Sequence, residues 1–90
     1  MLFHLGDVVV TPGVLAAFDG CDVGELVARL LARHRVGDWG EVCDEDKALN
    51  NCAVVTGDRI LSAYTVAGTK LWVITEASRE CTTVLLPSDY

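Results

Sequence analysis

The spacing of apolar residues changes once along the chain. Through residue 53 they recur every three or four positions, the period of a helix; from Arg59 onward they alternate with period two, the mark of strands. Val8-Val9-Val10 is a β-branched run and predicts a brief strand. Thr11 then stands as a helix cap with Pro12 at the first helical position, and the short helix that follows is expected to bury Val14, Leu15 and Phe18 before Gly20 stops it. Asp22 caps a second helix, with Glu25 three residues later at capping-box spacing. Val23, Leu26, Val27, Leu30 and Leu31 form its inner face, Glu25, Arg29 and Arg33 its outer one. Arg33, His34 and Arg35 fall in the last turn, where positive charge suits the helix dipole, and Gly37 ends it.

A third helix is expected within Asp38 to Ala53. Val42, Leu49 and Ala53 share one face with Trp39 near it, and Asp38, Glu41 and Glu45 project together on another. Asp46 falls inside the apolar face, so either the helix restarts with Asp44 as its cap or Asp46 has a buried partner; the restart is the simpler solution. Arg59–Val66, Thr69–Glu76 and Cys81–Leu86 are rich in β-branched and aromatic residues, separated by Ala67-Gly68 and Ala77-Ser78-Arg79-Glu80 at hairpin lengths. Leu61 and Ala63, Trp72 and Ile74, and Val84 and Leu86 supply the alternating positions, with Trp72 expected against the helices. Pro87 takes the tail out of the sheet. The pattern predicts a single α+β domain over residues 1–90, a three-stranded antiparallel β-meander in the C-terminal half packed against two or three N-terminal helices.

Composition narrows the function classes. The net charge of -6 and a pI near 4.6 make direct binding to nucleic acid unfavourable and a basic partner the natural complement. Neither a signal peptide nor a membrane span is expected, which points to a cytosolic protein. Cys21, Cys43, Cys52 and Cys81 are then reduced thiols without a Cys-x-x-Cys pair, best read as small buried hydrophobes.

The chemistry concentrates between Asp38 and Asp46, where Asp38, Glu41, Asp44, Glu45 and Asp46 surround Trp39. One reading is a solvated helix start, since acids favour the positive end of the dipole. The sharper reading is a decoy for nucleic-acid phosphates, with Trp39 as a buried anchor at the contact. A small enzyme or ligand-binding domain using Cys43 with His34, or the acidic cluster as acid–base pair or magnesium site, is the alternative from another class. The acidic neighbours of Cys43 count against it, because they raise a thiol's pKa. The wide spacing of Cys and His suggests no metal site, and Gly37-Asp38-Trp39-Gly40 lacks the lysine of a phosphate loop, so no cofactor is expected.

Gly37-Asp38-Trp39-Gly40-Glu41, Glu45-Asp46, Asn50, Ser62-Ala63-Tyr64, Gly68 to Ala77 and Thr82 to Pro87 resemble a family of small proteins carried by bacterial plasmids, integrative elements and phages. The likeness covers nearly the whole chain after the first strand. It departs from the family at Asn51-Cys52-Ala53-Val54-Val55, which is more apolar, and at Ser78-Arg79-Glu80-Cys81. The family is mostly without assigned function, so the resemblance implies a setting, host–virus or mobile-element conflict, rather than a reaction. By analogy it implies an anti-CRISPR inhibitor, a DNA mimic that meets a basic subunit of a type I CRISPR surveillance complex and blocks target DNA. A DNA-mimic inhibitor of a restriction enzyme or other DNA-binding protein would use the same surface.

Overall fold

A computed structural model describes residues 1–90. In chain order it runs β1 (Asp7–Val10), α1 (Pro12–Ala17), α2 (Val23–His34), α3 (Asp44–Thr56), β2 (Ile60–Val66), β3 (Thr69–Thr75), β4 (Cys81–Leu85) and a 3-10 turn at Pro87–Asp89. The local signals act as expected at α1 and α2. The Thr11 hydroxyl accepts from the Val14 N–H at 3.4 Å, and the Asp22 carboxylate accepts from the Glu25 N–H at 3.1 Å. Glu25 does not close a box; it pairs with Arg29 one turn on, at 2.7 Å.

The sheet corrects the expected fold. It has four strands, not three, in the order β1-β4-β3-β2, and it is mixed. β2, β3 and β4 form the predicted antiparallel meander, with Ala63 opposite Trp72 and Trp72 opposite Leu85. β1 joins as a fourth strand parallel to β4, Asp7 opposite Cys81 and Val10 opposite Val84. A pairing between segments this far apart in sequence leaves no trace in local periodicity, which reports only which residues share a face. No helix is long and apolar enough to cross a membrane.

The phase of two strands is also the reverse of the one expected. Ile60, Ser62 and Tyr64 of β2 and Leu71, Val73 and Thr75 of β3 face the helices, with Thr82 and Val84 of β4. α1 lies over β4, α2 over β3 and α3 over β2. Trp72 therefore points to the opposite face, half-buried, its ring edge-on to Tyr90 at 5.7 Å. Both faces of these strands are apolar, so alternation alone did not say which one the helices cover.

The core has two clusters. Val14, Phe18, Val27, Leu30, Tyr64, Leu71, Val73 and Val84 form the larger one; Phe3, Trp39, Ala53 and Ile60 form the smaller. Leu15, expected inside, is exposed because α1 ends after six residues and presents only Val14 to the sheet.

Candidate binding surface

The segment Asp38–Asp46 is not one helix. Gly37 and Gly40 have φ of 87° and 71°, and α3 begins only at Asp44, so the first half of the segment is an extended strap. Gly40 forms a bridge to Ala63 on the outer edge of β2: the Glu41 N–H donates to the Ala63 carbonyl at 2.7 Å, and the Ala63 N–H donates to the Trp39 carbonyl at 3.1 Å. A Cβ at Gly40 would collide with that Ala63 carbonyl, so only glycine allows this approach. α3 thus starts at Asp44, with Cys43 in the cap position, and Asp46 is exposed rather than in an apolar face.

The strap uses up two of the six residues assigned to the site. Asp38 is bound by the Arg33 guanidinium through Nε at 2.7 Å and Nη2 at 3.3 Å, and also accepts the Gly40 N–H at 3.2 Å. The Arg33 hydrogen bond holds the Asp38 carboxyl below its usual range, and Asp38 raises Arg33 in turn. Arg33 also lies 4.5 Å above the Tyr64 ring, whose hydroxyl donates to the Asp38 carbonyl at 2.6 Å. Burial pushes the Tyr64 phenol up to about 12. Glu41 accepts from the Thr65 hydroxyl at 2.9 Å and stands 4.0 Å from the Lys70 ammonium.

Trp39 is 3% exposed and has no surface to offer a partner. Its indole N–H donates to Asn51 at 2.9 Å, and its ring packs against Phe3 and His34 at 6.1 and 5.8 Å. It is a core residue, not a contact anchor. Asp44, Glu45 and Asp46 remain. They lie in the exposed first turn of α3 and take part in none of the molecule's three ion pairs.

Beside that turn runs a shallow groove of about 220 Å³, lined by Asp46, Leu49, Asn50, Arg59 and Leu61. α3 is one wall and the open face of β2 the other. Leu49, expected in the core, is 65% exposed here. Arg59 leads from the groove to an aromatic pair: its guanidinium donates to the Tyr90 hydroxyl at 2.7 Å, and Tyr90 packs against Trp72. The groove sets the Asp46 carboxylate and the Arg59 guanidinium beside two apolar side chains, Leu49 and Leu61. Leu61, Arg59 and Tyr90 were not expected at a site, because nothing local marks where a helix end and a sheet face converge. A second depression of about 240 Å³ is lined only by Asp22 and residues of α2, so it lacks a facing wall.

His34 and Cys43 are not brought together for chemistry. His34 is fully buried, and both ring nitrogens are engaged, Nδ1 with the Ser62 hydroxyl at 2.6 Å and Nε2 with the Thr75 hydroxyl at 2.9 Å. The Thr82 hydroxyl donates to the Leu5 carbonyl at 2.7 Å, so Thr75 must donate to Thr82 and accept from Nε2–H. Nδ1 then accepts from Ser62, and the imidazole is neutral. Burial, with a contribution from Arg79, pushes His34 down to about 4. The expectation of a charged helix-end histidine is thereby corrected.

All four cysteines are free thiols, but Cys21, Cys43 and Cys52 are exposed and Cys81 is half-buried, against the expectation of buried small residues. They occupy a turn, a helix cap position, the outer side of α3 and the helix-free face of β4. No group of three or more His, Cys, Asp or Glu gathers in a way that could hold a metal ion. No family model, no curated protein and no solved structure matches the chain.

Proposed function

We propose that the chain acts by occupancy, docking on a basic DNA-binding protein and keeping DNA away from it. In the mobile-element setting that its sequence resembles, the partner is a subunit of a type I CRISPR surveillance complex. The observation that supports this reading is the free turn Asp44-Glu45-Asp46: three successive carboxylates, exposed and in no ion pair, beside a groove whose apolar side chains are Leu49 and Leu61. Lysines and arginines that normally track phosphates would meet this turn, while an apolar side chain beside them enters between Leu49 and Leu61. Asp38 and Glu41 act indirectly, by fixing the strap that sets where α3 begins.

The test is a double charge reversal, Asp44→Lys with Glu45→Lys, compared with a matched control at Asp19→Lys with Glu80→Lys. Like-charge contacts at a complementary interface cost several kcal/mol, so the first pair should weaken inhibition of target-DNA binding by about 100-fold or more. The control pair should leave it unchanged. Inhibition should also fall steeply as salt rises. A folded Asp44/Glu45 double variant that still blocks DNA binding at full strength overturns the reading.

A further inference from the structure

The outward sides of α2 and α3 differ in kind. α2 turns Glu25, Arg29 and Arg33 to water, as a surface helix does. α3 carries no charged residue after Lys47; from Ala48 to Thr56 it reads Ala-Leu-Asn-Asn-Cys-Ala-Val-Val-Thr. Asn50 and Ala53 are its buried residues, on the side of β2. At about 100° per residue, Ala48, Cys52 and Val55 fall on the opposite side, with Leu49 next to them. Val55 is 86% and Leu49 65% exposed. A helix that is apolar on its inner and outer sides has the pattern of one covered on both.

We infer that the outer face of α3 docks an α-helix of a basic partner, a step that rests on the occupancy reading above for the sign of the partner's charge. The docked helix is apolar along one side, and Lys and Arg fill its last turn. It lies antiparallel to α3, so that its last turn covers Asp44-Glu45-Asp46.

Shape and charge both select this occupant. Leu49, Cys52 and Val55 stand three residues apart, a ridge of the kind that fits the groove of a second helix, and the small Ala48 beside it permits close approach. Along this face the backbone groups are spent inside α3, so an extended strand would find nothing to pair with. The exposed carboxylates close only one end of the stripe and belong to no ion pair. Basic residues suit the C-terminal end of a helix, so the antiparallel arrangement joins the two ends in the sense that the dipoles favour. A second copy of the chain does not fit. Each copy carries -6, and α2, the one helix with a basic last turn, has Arg33 tied to Asp38, His34 buried and a charged outer face.

Cys52 lies within the stripe as an exposed free thiol and provides the footprint. The probe is a stapled helical peptide of about four turns, Leu and Ala along one side, Gln on the other, lysines in the last turn. With the peptide near ten times its Kd, alkylation of Cys52 by N-ethylmaleimide should slow about tenfold. Cys21, in the turn between α1 and α2, should keep its rate. Leu49→Gln and Val55→Gln change no charge and lie at exposed positions, and each should weaken the peptide about tenfold, the worth of one such buried side chain. Moving the lysines to the peptide's first turn should weaken it as well. A Cys52 rate that the peptide leaves unchanged overturns the inference. So does full-strength binding to folded Val55→Gln, or equal binding by the peptide with its lysines moved. Inhibition of DNA binding separates the docked helix from the reading beneath it. If Asp44→Lys with Glu45→Lys abolishes inhibition while Leu49→Gln with Val55→Gln keeps it in full, the acidic decoy stands and the helix falls. If both double variants inhibit in full, both fall.

Discussion

His34 shows how one buried side chain carries both structure and a pH signature. It links α2 to β2 and β3 through Ser62 and Thr75, and the same chain of hydroxyls reaches Thr82 and the Leu5 carbonyl. Every donor in that chain has one acceptor, so an extra proton on Nδ1 would turn the Ser62 hydroxyl from donor to acceptor and take away the acceptor its hydrogen now uses. The histidine is held near 4 in the folded protein against 6.5 for the free side chain, and the unfolded chain therefore takes up the proton first. Stability is fully present above pH 6.5 and is lost as pH falls toward 4, by roughly 3 kcal/mol at 1.36 kcal/mol per unit. Urea midpoints measured from pH 7.5 downward should decline through this window. In NMR, the His34 ring should hold its neutral shift down to about pH 5, and a ring titrating near 6.5 in the folded state would contradict the buried assignment.

At the scale of elements, the β2 edge depends on a side chain acting as a strand. The Asn50 carboxamide donates to the Leu61 carbonyl at 2.7 Å and accepts its N–H at 3.2 Å, which copies the pairing a neighbouring strand would provide. Asn50→Ala should cost about 2–3 kcal/mol, since two hydrogen bonds go and two backbone groups beneath α3 lose their partners. Asn50→Asp should be no better, because a carboxylate cannot donate to the Leu61 carbonyl. A lower urea midpoint together with faster exchange of the Leu61 amide checks this, and an unchanged midpoint would mean that water replaces the carboxamide without loss. α3 is also tied down at its C-terminal end by Arg79, which donates to the Ala53 carbonyl at 2.8 Å and to the Asp58 carbonyl at 2.7 Å. The helix is thus pinned along the β2 edge at its middle and at its C-terminal end, with its acidic first turn beside the groove.

For the whole molecule, the two tryptophans report which side of the sheet is which. Trp39 lies in the helix-side core, while Trp72 lies half-buried on the other face against Tyr90. Trp39→Ala should destabilise the protein by about 3–5 kcal/mol, the range for emptying a core aromatic site, and Trp72→Ala by less than half of that. Thermal or urea unfolding of the pair decides it; equal losses would mean that the outer face is packed as tightly as the core. The outer face also carries the groove, so it combines the lesser burial with the greater availability to a partner.

The sequence by itself was sufficient for what depends on near neighbours. The caps at Thr11 and Asp22, the inner face of α2 from Val23 to Leu31, the three C-terminal strands and the Ala67-Gly68 hairpin all rest on contacts within a few residues or on a repeating period. Three features rested on contacts distant in sequence, and only the tertiary structure decided them. The pairing of β1 with β4 joins residues 74 positions apart, and no local pattern encodes it. The helix-facing phase of β2 and β3 could not be read because both faces are apolar. Within the acidic segment, the sequence marked the carboxylates but not their availability: Arg33 from α2 takes Asp38, Thr65 and Lys70 from the sheet engage Glu41, and the core takes Trp39. What stays free is Asp44-Glu45-Asp46, because a helix that starts late leaves its first turn beyond the reach of those partners.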